Sequence, residues 1–439
     1  MQHIDTLIHA AWVIPVEPEG VVLPQHSLVI NDSKIIALLP TADAVGQFSA
    51  RVTHRLPTHL LIPGFINAHS HAAMNLLRGY ADDLSLMTWL HERIWPAEKK
   101  WVSPQFVMDG TRLAIAEMLL SGTTCFNDMY YFPDVVGKVA EETGIRAMLG
   151  MIVLDFPSAW AQDAQDYLGK VDGIYNKYHH HPLIHIALAP HAPYSVSDKP
   201  LAQVAAMADK YDIPIHMHVH ETQEEIQQAM QKDPYRPIER LELLGLLSPR
   251  LLAVHMTQVN EFEINRLAEK GVHIVHCPHS NLKLASGFAP VHDYLQAGIN
   301  VALGTDSAAS NNNLDMLAEM RTAALLAKGV SQNAAAVSAA QALSMATLNG
   351  AKALGLAKIT GSLNVGKFAD VTALDLGGVI NQPIYSPLAH LVYSCTREQI
   401  SDVWVAGRHL LKDRTLTTLH VRELKAKIFA WRHKILNPR

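Results

Sequence analysis

Between about Ile62 and Ala357 the chain alternates short apolar runs with longer helical patterns, and this constrains the fold more than any other feature. LLIPGFINA, TTCFNDM, IRAMLGMIVL, PLIHIALAP, IPIHMHVH, RLLAVHM, VHIVHCP and NVALGTD read as strands. TRLAIAEMLLSG, VVGKVAEETG, KPLAQVAAMADKY and EFEINRLAEKG, lying between them, read as helices. Near-continuous apolar strands are buried on both faces, which points to a parallel sheet covered by helices. Eight strand–helix units need about 250 residues, and the stretch holds them. The expected fold class is therefore α/β, built on a (β/α)8 barrel of the TIM type. Gly122, Gly144, Gly271 and Gly298 each precede a strand, where a helix-capping glycine belongs.

The flanks differ in character. In the first sixty residues, HSLVINDSKIIALLP places two apolar runs around an Asn31-Asp32-Ser33 turn cluster, the pattern of a hairpin. The tail returns to β patterning in GSLNVGKFADVTALDLGG and DVWVAGRHLLKDRT, and a charged helical pattern follows from about Val421. These distant segments can pair into a small β-sandwich beside the barrel. The expected organisation is residues 1–61 and 361–439 as the two parts of that sandwich, with 62–360 as the barrel.

The chemistry lies at the strand ends. His69, His71, His191, His218, Glu221, His255 and Asp306 all fall at or just past the C-terminal end of an expected strand. In a parallel barrel those ends converge on one face, where barrel active sites are built. His69 and His71 share one side of a strand, roughly 6.5–7 Å apart at Cα, so their rings can reach one ion. By itself that pair equally suits two polar strand-end residues. His216, His218 and His220 alternate along one strand and span too far to bind one ion together. One of them, near the strand's end, reads as a ligand and His216 as a core or supporting group. Three histidines and an aspartate, with an acid and a histidine to spare, form an inventory for metal-assisted hydrolysis.

Composition supplies exclusions. With 36 Lys plus Arg against 41 Asp plus Glu and no basic block, the chain of net charge −5 offers no footprint for nucleic acid. Hydrophobic residues at 49% against 18% charged exclude disorder and fit a homo-oligomer, dimer or tetramer. Cys125, Cys277 and Cys395 stand far apart, so neither a disulfide framework nor the P-C-x-x-C zinc site of cytidine deaminases is available. No 18-residue apolar run and no basic, signal-like start occur, so the expectation is a cytoplasmic protein without a membrane partner. Histidine, at 25 residues, outnumbers the 24 glycines.

PGFINAHSHAAMNLLRG, the H-x-x-E of His218 to Glu221, SNLKLASG at 280–287, GTDSAASNN at 304–312 and GSLNVGKFADV at 361–371 together resemble the amidohydrolase superfamily. WLHERIWPAE, PHAPYSVS and SNLKLASGFAP resemble its 5′-methylthioadenosine/S-adenosylhomocysteine deaminases and the related chlorohydrolases. That resemblance implies one divalent metal, Zn2+, held by His69, His71, His218 and Asp306. It also implies that the ion acidifies water, with Asp306 accepting the proton, His255 orienting the nucleophile and Glu221 protonating the purine ring. His191 would contact the substrate, and Glu98 the ribose hydroxyls. Members that use S-adenosylhomocysteine place an arginine after the third barrel strand for its carboxylate. Here Arg146 comes early and apolar residues follow, with Met151 near the expected place. An unpaired buried carboxylate is costly, so 5′-methylthioadenosine ranks first as substrate. Guanine or pyrimidine deamination, s-triazine dechlorination, and a catalytically silent binding protein remain as alternatives on the same scaffold.

Overall fold

The computed structural model describes residues 1–437. Among the described residues, sixteen strands form two eight-stranded sheets. Four strands precede the barrel: β1 Gln2–Val13, β2 Leu23–Asn31, β3 Lys34–Pro40 and β4 Phe48–Pro63. The barrel strands are β5 Phe65–Ser70, β6 Thr123–Tyr130, β7 Arg146–Val153, β8 Ile184–Pro190, β9 Ile215–Val219, β10 Leu251–His255, β11 His273–His276 and β12 Val301–Leu303. After them come β13 Val371–Asp375, β14 Ile400–Val405, β15 Arg408–Lys412 and β16 Thr415–Leu416.

β5 to β12 lie side by side in sequence order, and every pairing is parallel. Helices connect them, among them Pro104–Leu120, Pro133–Thr143, Asp198–Tyr211 and Glu261–Lys270. The first and last strands meet through a parallel bridge between Ser70 and Asp306, which closes the barrel. Asn67 and Thr305 lock this seam. The Asn67 amide donates to Thr305 Oγ1 at 2.7 Å, and the Thr305 N–H donates to Asn67 Oδ1 at 3.0 Å. Gly304 permits the approach, because a Cβ there would stand 2.7 Å from His69 Cβ and 2.8 Å from its backbone nitrogen. Gly144 and Gly271 end their helices with φ of 85° and 68°, left-handed values that favour glycine.

The terminal segments join in one continuous mixed sheet of order β16-β15-β14-β13-β4-β1-β2-β3. β2 and β3 form the expected hairpin, with Asp32 and Ser33 both at positive φ, the backbone of a type I′ turn. LLIPGFINA, read as one run, is divided. β4 carries the terminal sheet through Pro63, and β5 starts at Phe65, so the chain passes into the barrel at Gly64 rather than after residue 61. The two neighbouring strands are both apolar, so hydropathy gave no mark of the break. Residues 334–338 of an Ala-rich stretch form a turn, and the helix runs Ala339–Ala346. The final helix spans Val421–Leu436.

One buried ion pair joins the two units. Arg146, at the start of β7, donates to both carboxylate oxygens of Asp370, at 2.9 and 3.3 Å, with its side chain fully buried. Asp370 also accepts from Thr360 Oγ1 at 2.7 Å and the Ala406 N–H at 2.7 Å. Removing one partner leaves an uncompensated charge in the interior, at a cost of about 3–5 kcal/mol. Asp370→Ala is expected to lower the urea midpoint accordingly, with the slope of the transition unchanged. Unfolding followed by circular dichroism checks this, and an unaltered midpoint would show that the pair holds nothing together.

Candidate metal centre and substrate pocket

β5 ends at Ser70, so His69 projects from its last turn of pleat and His71 from the residue just beyond. β9 supplies His218, and the chain past β12 supplies Asp306. One donor atom from each of these four residues falls within 4.8 Å of all the others. His69 Nε2 and His71 Nε2 each lie 3.2 Å from Asp306 Oδ1, and His218 Nε2 lies 3.2 Å from His69 Nε2. A tetrahedral zinc site with bonds of about 2.0–2.1 Å has donor–donor edges near 3.3 Å, and these three distances match such edges.

The ring tautomers agree. His71 Nδ1–H donates to the Met129 carbonyl at 2.6 Å and His218 Nδ1–H to the His191 carbonyl at 2.8 Å. Each neutral ring therefore turns the Nε2 lone pair to the common centre. His69 Nδ1 lies 2.7 Å from His216 Nε2, so the histidine read as a supporting group does orient a ligand. Asp306 turns Oδ1 inward, while its Oδ2 accepts from Ser280 Oγ at 2.6 Å and Ser310 Oγ at 2.9 Å. Lone pairs of three rings and a carboxylate, buried together, fit a cation and little else.

Around this centre lies a pocket whose lining includes His71, Glu98, His191, His218, Glu221, His255 and Asp306. All the sequence-selected residues thus converge, with His69 fully buried among them. Glu221 Oε2 is 3.6 Å from His255 Nε2. Burial raises the Glu221 carboxyl above its usual range, which favours the protonated form. His255 Nδ1–H donates to Asn281 Oδ1 at 2.8 Å, leaving Nε2 as an acceptor toward the pocket. Burial pushes His191 down to about 3, so its ring is neutral, and Nδ1 lies 2.9 Å from Ser195 Oγ. Glu98 accepts from the Tyr130 hydroxyl at 2.7 Å, and burial pushes it up to about 7.

The rest of the lining is largely apolar and aromatic, formed by Trp89, Trp95, Ile152, Leu154, Phe156 and Leu284 among others. Among the described residues no arginine or lysine lines this pocket. Met151, the residue placed by sequence where a cation would stand, packs in the core instead. Alternation along β7 puts Ile152 at the pocket and Met151 on the other face.

Several contributors were not singled out beforehand. Asn281, in the segment SNLKLASG, holds the His255 ring. Asp128, at the end of β6, accepts from the Ala72 N–H at 2.6 Å and so secures the turn after His71. The strand-end rule that selected the seven candidates reaches Asp128 as well, two residues before the end of β6. Glu225 accepts from the backbone N–H groups of His220 and Glu221, at 3.1 and 2.7 Å, and so anchors the acid. His276 ends β11 but stays in the core, with neither ring nitrogen bonded.

The chain belongs to the amidohydrolase family, whose model matches residues 60–410. The 5-methylthioadenosine/S-adenosylhomocysteine deaminase of Teredinibacter turnerae is 48% identical over 432 residues, covering 98% of each chain. The enzyme of the same name from Saccharophagus degradans is 47% identical, covering 98% of this chain and 97% of its own. An adenosine deaminase from Xanthomonas campestris, solved with bound zinc, superposes with a TM-score of 0.98 at 47% identity, covering 99% of both chains. Atrazine chlorohydrolase from Arthrobacter aurescens, at 24% identity and a TM-score of 0.90, shares the fold.

Groups that orient metal-binding histidines typically contribute 10- to 100-fold to metal affinity or activity. His216→Phe, which keeps the bulk and removes the nitrogen, is expected to weaken zinc binding within that range. Competition against a chromophoric chelator measures it. Undiminished affinity would reduce His216 to a packing residue.

Proposed function

We propose that this protein hydrolytically deaminates adenosine analogues, converting 5′-methylthioadenosine to 5′-methylthioinosine and ammonia. The observation that carries the reading is the juxtaposition of Glu221 and His255 with a four-donor cation site, at the floor of a pocket walled by aromatic residues. The names of relatives nearly half identical over the whole chain support the substrate class. The zinc in the Xanthomonas enzyme supports Zn2+ as the ion, one per subunit, held by His69, His71, His218 and Asp306.

When bound, the cation supplies Lewis-acid charge that brings the pKa of water at the site toward neutrality. The chain's own groups then move the protons. Asp306 takes one proton from the water at Oδ1, while Ser280 and Ser310 keep Oδ2 in place. His255 Nε2, aimed by Asn281, orients the oxygen as it forms its bond to C6. Glu221, whose carboxyl burial raises above its usual range, delivers its proton to N1 as charge develops there. Collapse returns the C6 hydroxyl proton to Glu221, and the Asp306 proton goes to the amine. The C6–N bond breaks, ammonia leaves, and both acids regain their starting states. Glu98 accepts from the ribose hydroxyls and His191 contacts the bound nucleoside.

The cation-free wall favours an uncharged 5′ substituent, so methylthioadenosine is the preferred substrate over S-adenosylhomocysteine. Guanine and pyrimidine deamination, triazine dechlorination and a silent binding role lack comparable support. We further take the enzyme to be a cytoplasmic homo-oligomer, in keeping with its low charge content and three buried free cysteines. No helix among the described residues is long and apolar enough to cross a membrane.

Positioned acids and bases contribute about 10²–10⁴-fold to a rate. Glu221→Gln is expected to lower kcat for methylthioadenosine by that much while zinc content stays at one per chain. Absorbance change on deamination, with metal analysis of the same sample, provides the measurement. Retained turnover would remove Glu221 as the proton carrier.

A further inference from the structure

Behind the metal centre, on the helix Met316–Ser331, Glu319 is fully buried. It does not line the substrate pocket, and neither do His279 and Asn311, the two residues that hold it. Glu319 Oε1 accepts from the Asn311 amide at 2.6 Å and lies 2.7 Å from His279 Nδ1, while Oε2 accepts from the His279 N–H at 3.2 Å. The far nitrogen of the same ring lies 2.7 Å from Thr322 Oγ1, on the same helix as Glu319. With Nδ1 carrying its hydrogen, all three groups facing the carboxylate are donors. An acceptor-only side chain suits such a place, and an amide there would set donor against donor.

Each neighbour leads to the metal centre in one further step. Asn311 also donates to the Thr305 carbonyl at 2.7 Å, and Thr305 is both the seam residue bonded to Asn67 and the neighbour of Asp306. Ser310, just before Asn311, and Ser280, just after His279, supply the two hydroxyls that hold Asp306 Oδ2. Asn281, next along, holds the His255 ring. One buried carboxylate thus anchors both segments from which Asp306 and His255 take their support.

We propose that Glu319 is a positioning residue for the metal centre, fixing Asp306 and His255 in their working geometry through Asn311 and His279. It lies outside the four-donor set and the substrate pocket, so its influence falls on metal affinity and on the rate of the chemical step, not on substrate binding. The effect on rate rests on the deaminase reading, whereas the effect on metal affinity does not.

The test compares the full-length wild-type, Glu319→Gln, Asn311→Ala and doubly substituted proteins. Zinc affinity is measured by competition against a chromophoric chelator, and kcat and KM for 5′-methylthioadenosine are taken per bound zinc. Loss of a group supporting a metal ligand typically costs about 10- to 100-fold in affinity or activity. Glu319 acts through intermediaries, so Glu319→Gln is expected at the low end, about tenfold in zinc affinity and about tenfold in kcat. KM stays within about twofold, because no contact to substrate is lost. Asn311→Ala is expected to act in the same direction, and the double variant to lose less than the two single losses combined, since residues in one network are not additive. Asp370→Ala, which breaks an ion pair at the opposite end of the barrel strands, lowers stability and leaves zinc affinity and kcat per zinc at wild-type values.

Unchanged zinc affinity together with unchanged kcat in Glu319→Gln would overturn the proposal, whatever its melting temperature. So would a rise in KM alone, or fully additive losses in the double variant. If Glu319→Gln does not fold, Asn311→Ala decides the matter by the same two quantities. A wild-type protein inactive on methylthioadenosine would remove the deaminase reading, and zinc affinity alone would then decide the role of Glu319.

Discussion

Closure of the barrel between its first and last strands is the constraint on which the site depends. The Ser70–Asp306 bridge, the reciprocal Asn67–Thr305 bonds and the side-chain-free Gly304 bring the two strands together. The Asp306 N–H donates to the His69 carbonyl at 3.0 Å, so a backbone bond of the seam joins two residues whose side chains face the same centre. Barrel geometry and donor geometry are one arrangement. A side chain at position 304 would strike His69 itself, displacing a ligand and opening the seam in the same movement.

Backbone conformation at the other strand ends serves the same face. His220, His255 and Asp306 have φ of 51°, 75° and 61°, in the left-handed region that non-glycine residues seldom adopt. Each lies at or just past the end of a barrel strand, and tertiary bonds hold it there. His220 is clasped by Glu225 through its N–H and by the Gln258 carbonyl at its ring. Strain of this kind, about 1–3 kcal/mol per residue, persists only where surrounding structure over-determines it. The apolar barrel supplies that surrounding, and Glu221 gains a fixed approach to the pocket.

How much of this was legible in the sequence depended on the length scale. Strand–helix alternation gave the barrel and its eight strands, and strand-end position gave seven candidate residues, because both follow from local periodicity; the resemblance then picked out the donors among them. Contacts made by loops were not legible in that way. Asn281 looks like any loop asparagine until the helix after β11 turns its carbonyl oxygen to His255. The Met151–Ile152 choice turned on strand parity, which a one-residue uncertainty in register reverses. The break at Gly64 lay inside a continuous apolar run, where two sheets meet without a polar residue between them. The family resemblance reached the eight site residues.

The seam also imposes an order of events on a chain made from its N-terminus. His69 and His71 emerge early, but Asp306 lies 237 residues beyond His69. Until nearly all the barrel has left the ribosome, the histidine pair is half a binding site, with weak hold on any ion it meets. Full coordination arrives only with the last strand, when the donor geometry can select among ions. Placing the fourth ligand at the far end of the fold thus makes metal acquisition a late step, reserved for chains that have already found their topology.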